Sequence, residues 1–435
     1  MKDQVAALNW VKKNIHSFGG DPSRVTIFGT GTGAASVSYH ILSPLSTGLF
    51  HRGISQSGNA LCPWAFVRNP KDFADEMGHL MNCSVANTFT IAACLKQANA
   101  RDIIIQQQKL VEWNAEAISL VPFAPVVESI EHSIETGPVF LHEPPMKLLR
   151  EGRFRKVPWL TGVNSADGLT FPAASILNSK TALKDLDTNW KRFAPLIFGY
   201  KDLAPNPISV SQKIRDFYFG SNGGIIDHNV RENFSNALSD RNFFRCARNC
   251  ALLYAKESPV WIYYFTYKSN SSILNSYGLR DLSDFPGVAH SDELQYLFKM
   301  KTFPEIKHNS NYFEFSQSLI SLWVSFASEG RPGELWHGAE KWNPVPNNQI
   351  NSQYPMKMYR IDEYTEVIDE PFLSRLNFWD KLRLLPPQSA VFPSISRNYH
   401  PDSNINSASG KTLANKLFPG LCLFVLLNFT FDFVL

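Results

Sequence analysis

The 435 residues carry a net charge of +3, with 44% hydrophobic and 13% aromatic residues. That balance fits a globular chain able to bury a large core. So small a charge, with no block of Lys or Arg, argues against nucleic acid as a partner.

Val5, Leu8, Val11 and Ile15 recur at helical spacing near the start. Gly19-Gly20-Asp21-Pro22 then reads as a turn. A β-branched run, Val25-Thr26-Ile27-Phe28, predicts a strand, and Ala34–Leu42 predicts a helix. Between them lies Gly29-Thr30-Gly31-Thr32-Gly33. A strand feeding a helix through G-x-S-x-G is the nucleophile elbow of α/β-hydrolases. Here the frame is present, but Gly31 stands at the central position and carries no hydroxyl.

Further along, Val157–Val163 and Val260–Tyr267 read as buried strands, and Met356–Ile361 as a short one. Phe315, Leu319, Leu322, Trp323 and Phe326 mark an amphipathic helix, and Arg375–Leu385 a late helix. Strands alternating with helices predict an α/β fold with a mostly parallel, doubly wound sheet. The loose dinucleotide fingerprint Gly29-x-Gly31-x-x-Ala34 fails for want of an acid about 20 residues on, because no Asp or Glu occurs between Asp21 and Asp72. No His/Cys cluster has metal-ligand spacing, and no cofactor is expected.

Several runs carry a family resemblance. Asp3–Leu8 (DQVAAL), Trp10-Val11 and Phe18–Pro22 (FGGDP) precede the elbow; Gly48–Arg52 (GLFHR) and Gln56-Ser57-Gly58 follow it. Gly162-Val163-Asn164, His290 in GVAHSDELQYLF, Leu322-Trp323 and Phe378-Trp379 add to them. Together they resemble the type-B carboxylesterase and cholinesterase family across roughly residues 1–385. The resemblance implies an α/β-hydrolase fold entered partway, with N-terminal strands missing and Met1 internal to a longer protein.

The resemblance also implies site roles. Hydrolase triads run in the order nucleophile, acid, histidine. Gly31 falls at the nucleophile place, Asp167 in GVNSADG at the acid place and His290 at the base place, with Asp292 and Glu293 as alternative acids. Thr32 would supply an oxyanion N–H, its branched side chain crowding the site, and Ser57 would support the triad. Members of the family usually carry Gly-Glu-Ser-Ala-Gly at the elbow, so this chain differs at three consecutive positions. The expected function is therefore a non-catalytic or severely impaired esterase homologue. It would bind a cell-surface protein partner or a hydrophobic ester ligand. With a serine at residue 31 the same chain would read as an active carboxylic ester hydrolase.

The six cysteines suit an oxidising compartment. By resemblance, Cys83 and Cys94 form a disulfide, while the pairing of Cys62, Cys246 and Cys250 stays open. Sequons stand at Asn82, Asn233 and Asn270. No signal peptide opens the chain; the truncation reading places it in the missing segment.

From about Pro386 the composition changes. Residues 386–417 read as a Ser/Asn/Pro-rich stalk and polar spacer, and 418–435 as a hydrophobic tail. Ser407 or Ala408, then GKTLANKL, then the tail fit a GPI-anchor signal. A plain C-terminal helix is the rival, and the tail is short for a membrane span. The expected location is the extracellular cell surface.

Overall fold

The computed structural model describes residues 1–67, 69–110, 123–128, 137–220, 230–279, 285, 287–333, 340–348 and 354–385. The stalk and tail, with Ser407 and Ala408, lie outside them. No helix among the described residues is long and apolar enough to cross a membrane.

Helix α1 spans Lys2–Asn14 and buries Leu8 and Val11, the centre of the predicted stripe. A 3₁₀ turn takes Ile15–Phe18 and closes on Gly19. Strand β1 runs Thr26–Thr30 and helix α2 starts at once, Thr32–Leu42, two residues before the Ala34 expected. Strand β2, Arg52–Gln56, lies on the family-like run but was not foreseen as a strand. Residues 68–110 belong to a separate compact unit. It holds α3 (Pro70–Leu80), α4 (Thr88–Gln97) and α5 (Ala100–Gln107), with a Cys83–Cys94 disulfide joining the α3 and α4 regions.

The main unit continues with β3, Trp159–Asn164. Helix α6 (Val230–Ser239) passes through a π-helical turn, Asp240–Phe244, into α7 (Arg245–Tyr254). Strand β4 is Val260–Phe265, α8 is Asn311–Glu329, β5 is Lys357–Ile361, β6 is Glu366–Asp369 and α9 is Leu373–Lys381.

The strands form one sheet in the order β1-β2-β3-β4-β5-β6. The first five pair in parallel, and β6 returns antiparallel at the edge. Both faces are covered, as a parallel sheet requires. On one face Val25, Ile27, Trp159 and Ile262 pack with Tyr39 and Ile41 of α2 and Cys250 and Tyr254 of α7. On the other, Phe28, Ile54, Leu160 and Tyr263 meet Phe315, Leu319, Leu322 and Trp323 of α8. This is the mostly parallel, doubly wound sheet that the strand-helix alternation predicts.

The β1–α2 turn depends on Gly29. A Cβ there would come within 2.6–2.9 Å of the Gly33 backbone. Backbone cannot swing aside as a side chain can, so Gly29→Ala should destabilise by about 1–3 kcal/mol. The expected result is a lower urea midpoint with an unchanged slope; an unmoved midpoint would show that the crossing relaxes.

Candidate active site

The turn between β1 and α2 is pinned at both ends. Gly31 N donates to Gln56 O at 2.9 Å, and Ala35 N donates to Gly31 O at 3.0 Å. Between these bonds Gly31 adopts φ 56° and ψ −113°. Glycine reaches that region at little cost, whereas a residue with a side chain is strained there. A Cβ built on Gly31 would lie 2.8 Å from His290 Nε2 and 3.3 Å from its Cε1. The imidazole therefore faces the position where an elbow residue's side chain would stand.

His290 follows a parallel bridge between Ala166 and Ala289, which ties its loop to the loop after β3. Ser291, the next residue, has φ 70° and turns the chain into Asp292 and Glu293. His290 Nδ1 lies 3.0 Å from Asp167 Oδ1. Asp167 is fully buried, and its other oxygen accepts the Asn164 N–H at 2.8 Å. Of the three acids considered from sequence, Asp167 is the one hydrogen-bonded to the imidazole. Asp292 is occupied elsewhere, accepting from Ile273 N at 2.7 Å, Ser272 Oγ at 2.9 Å and Ala289 N at 3.2 Å.

Glu293 has a different place. Its fully buried carboxylate accepts from Gln56 Nε2 at 2.9 Å and Asn164 Nδ2 at 2.5 Å. Gln56 Oε1 in turn accepts from Trp323 Nε1 at 3.2 Å. These four residues all sit in runs that carry the family resemblance, yet their connection could not be read from the sequence.

The electrostatics follow from burial and pairing. Burial opposes charge on His290, but the hydrogen bond and charge of Asp167, then the charges of Glu293 and Asp292, raise its pKa above 6.5. Burial raises Glu293, and it lifts Asp292 to about 7. Both are thereby moved towards neutrality, so the charge that His290 chiefly answers to is that of Asp167.

Thr32 is exposed. As the first residue of α2 it belongs to the turn whose amides lack intrahelical acceptors. Ser57 has φ 55° and a buried hydroxyl without a hydrogen-bond partner. Its neighbour Gly58 packs so closely that a Cβ there would be 2.5 Å from Gly31 O and 3.0 Å from the Trp64 ring.

Two aromatic residues not foreseen complete the surroundings. Phe243, on the π-helical turn, has its ring centroid 4.9 Å from that of His290. Trp64 lies 5.9 Å from Phe243, and its Nε1 donates to Asn242 O at 2.9 Å. A Cys62–Cys246 disulfide ties the same two segments, while Cys250 is free and buried. A spacing of 184 residues gave no local signal for that pair. Among the described residues no His, Cys, Asp or Glu cluster could hold a metal ion.

Sheet, elbow and His–Asp pair together define an α/β-hydrolase. The model of the carboxylesterase family matches residues 1–379. A carboxylic ester hydrolase from Bombus ignitus is 36% identical over 359 residues, 81% of this chain and 61% of its own length. Venom carboxylesterase-6 from Apis mellifera is 34% identical over 336 residues, covering 76% and 58%. Juvenile hormone esterase from Tribolium castaneum is 30% identical over 408 residues, covering 88% and 68%. The chain belongs to the carboxylesterase family. It spans about three fifths of the length of the Bombus and Apis proteins.

The His290–Asp167 pair makes a signed prediction. The folded-state pKa of His290 is raised, so the pair's stabilisation is complete below 6.5 and fades as pH rises through the folded value. Asp167→Asn should lower the His290 pKa by ~1–2 units, read by NMR from the imidazole C–H shift. Its stability deficit should be larger near pH 5.5 than near pH 9; a deficit independent of pH would contradict the assignment.

Proposed function

We propose that this protein is a carboxylesterase-family member that binds a ligand at the hydrolase site and does not turn it over. The observation that carries this reading is Gly31. The elbow, the imidazole and its orienting carboxylate are in place, but the position facing His290 Nε2 bears no side chain. An imidazole without a nucleophile can at most activate water. Removing the serine of such a triad costs on the order of 10⁶ in kcat, leaving ~10³–10⁴ over water. The buried Phe243 ring beside His290, and the half-buried Trp64 packed on Phe243, suit an acyl or aryl group. A cell-surface protein is the other partner class the sequence suggests.

An extracellular location accompanies this reading. It is supported by the two disulfides, which persist in oxidising compartments, and by the venom origin in the name of the Apis relative. Cell-surface attachment through a GPI anchor at Ser407 or Ala408 rests on the sequence pattern alone. Release from membranes by a phosphatidylinositol-specific phospholipase tests it, and retention after treatment counts against it. Asn82 and Asn270 are exposed, whereas Asn233 is half-buried on α6 with Phe234 and Ser235 buried beside it. Glycopeptide mapping should find sugar at the first two and none at Asn233.

The deciding assay is kcat/KM on a simple aryl ester, using the full-length protein beside Gly31→Ser and His290→Ala. The parent should show at most trace turnover, that of water activated by His290. Gly31→Ser should gain at least ~10² in kcat, limited by the retreat His290 must make for the new Cβ. Robust parent activity abolished by His290→Ala would overturn the reading.

A further inference from the structure

We propose that Asp240 is a positioning residue of this site: its ion pair with Arg375 of α9 holds the π-helical turn in the form that sets the Phe243 ring against His290. The role is played with or without a ligand, and so goes beyond the binding reading above.

A π-helical turn carries more residues than the α-helical turn it replaces, so the direction of its side chains depends on what holds it. Each residue of this turn meets a different part of the fold. Arg241, buried, donates from Nε to Phe198 O at 2.8 Å and from Nη2 to Gly199 O at 3.2 Å. Asn242 O accepts the Trp64 indole N–H, Phe243 faces His290, and Phe244 stacks on Phe372 with ring centroids 4.3 Å apart. Just upstream, Ser239 Oγ accepts the Gly168 N–H at 2.7 Å. A Cβ on Gly168 would lie 2.6 Å from Ser239 N and 2.4 Å from Ser235 O. The end of α6 is thereby fixed against the loop that carries Asp167, and slack in the turn must appear downstream, towards Phe243.

Asp240 is the contact that nothing local can replace. Its side chain has no exposure to solvent. Arg375 meets it with both arms of the fork, Nε to Oδ2 at 2.7 Å and Nη2 to Oδ1 at 3.1 Å. Tyr218, on the helix Pro207–Phe219, donates its hydroxyl to Oδ2 at 2.7 Å. Trp379 Nε1 donates to that same hydroxyl at 2.8 Å. Helix α9 thus reaches Asp240 twice, directly through Arg375 and through Trp379 by way of Tyr218. A carboxylate buried there is tolerated only while it is paired. The chain gives the Phe378-Trp379 run, part of the family resemblance, a task at the site.

The reporters are the His290 ring C–H resonances of the full-length protein, read on the high-pH plateau of their titration so that a change of pKa does not mimic a displacement. They feel the ring current of Phe243, and Phe243→Leu sets the full displacement. Asp240→Asn keeps the shape of the side chain and loses its charge. It should move the resonances in the same direction by most of that displacement, as should Arg375→Gln, whereas Arg375→Lys, which keeps the cation, should restore them. Added to Phe243→Leu, Asp240→Asn should move them no further, because both act through one ring. Should Asp240→Asn not fold, Tyr218→Phe, which loses hydrogen bonds but no charge, should give a smaller displacement in the same direction. Arg248→Gln controls for lost stability, since it breaks another buried ion pair, Arg248 Nη1 with Glu370 Oε2 at 2.7 Å. It should lower the melting midpoint and leave the His290 resonances in place. Unmoved resonances in Asp240→Asn or Tyr218→Phe, an equal displacement in Arg248→Gln, or a further displacement in the double variant would each overturn the proposal.

Discussion

The site is organised around one buried carboxylate. Glu293 has no exposure to solvent, and an unpaired acid in such a place is costly. Its partners come from the carboxyl ends of two different strands, Gln56 closing β2 and Asn164 closing β3. Gln56 also takes the Trp323 indole N–H from α8, and Asn164 donates to Ala289 O beside His290. One acidic side chain thereby registers two strand ends, a helix and the histidine loop. The orientation of His290 is a consequence of that registration as much as of its bond to Asp167. Truncating one member would leave the others buried and unsatisfied, so the group stands or falls together.

The elbow shows what is and is not tied to chemistry. Gly29 is demanded by the backbone of Gly33, and Gly58 by Gly31 O. These contacts belong to the crossing of strand and helix and hold whatever residue stands at 31. Gly31 is relieved of strain at its positive φ, which a serine there would have to bear. A glycine at 31 therefore leaves the turn unstrained. The His–Asp pair survives because Asp167 and the loop around Ala289 are held by backbone bonds independent of residue 31.

Much of the fold was legible because its period is local. The helix carrying Leu319, Leu322 and Trp323 and the strands around Ile27, Leu160 and Ile262 announce themselves over a few residues. Strand β2 did not: RGISQ is short and half polar, and its Ser55 and Gln56 are buried only because partners elsewhere satisfy them. The antiparallel β6, EVID, is equally short and lies at an edge. At the site, Gly31, Asp167 and His290 could be placed by motif, and the contact between the last two is now seen. Phe243, Trp64 and the Cys62–Cys246 bond could not, since each depends on chain segments far apart in sequence.

That last group has its own logic. The loop after β2 is joined once to the π-helical turn, by the Trp64–Asn242 hydrogen bond, and once to the start of α7, by Cys62–Cys246. Phe243 lies between Asn242 and Cys246 in sequence, so its ring is fixed from both sides. The π-helical turn inserts an extra residue that re-aims side chains, a feature frequent at functional sites. Here the ring it presents lies beside His290. This aromatic wall is anchored to the loop and α7, with no bond to the elbow side chain. The ring beside His290 is consequently held in place whichever residue stands at 31.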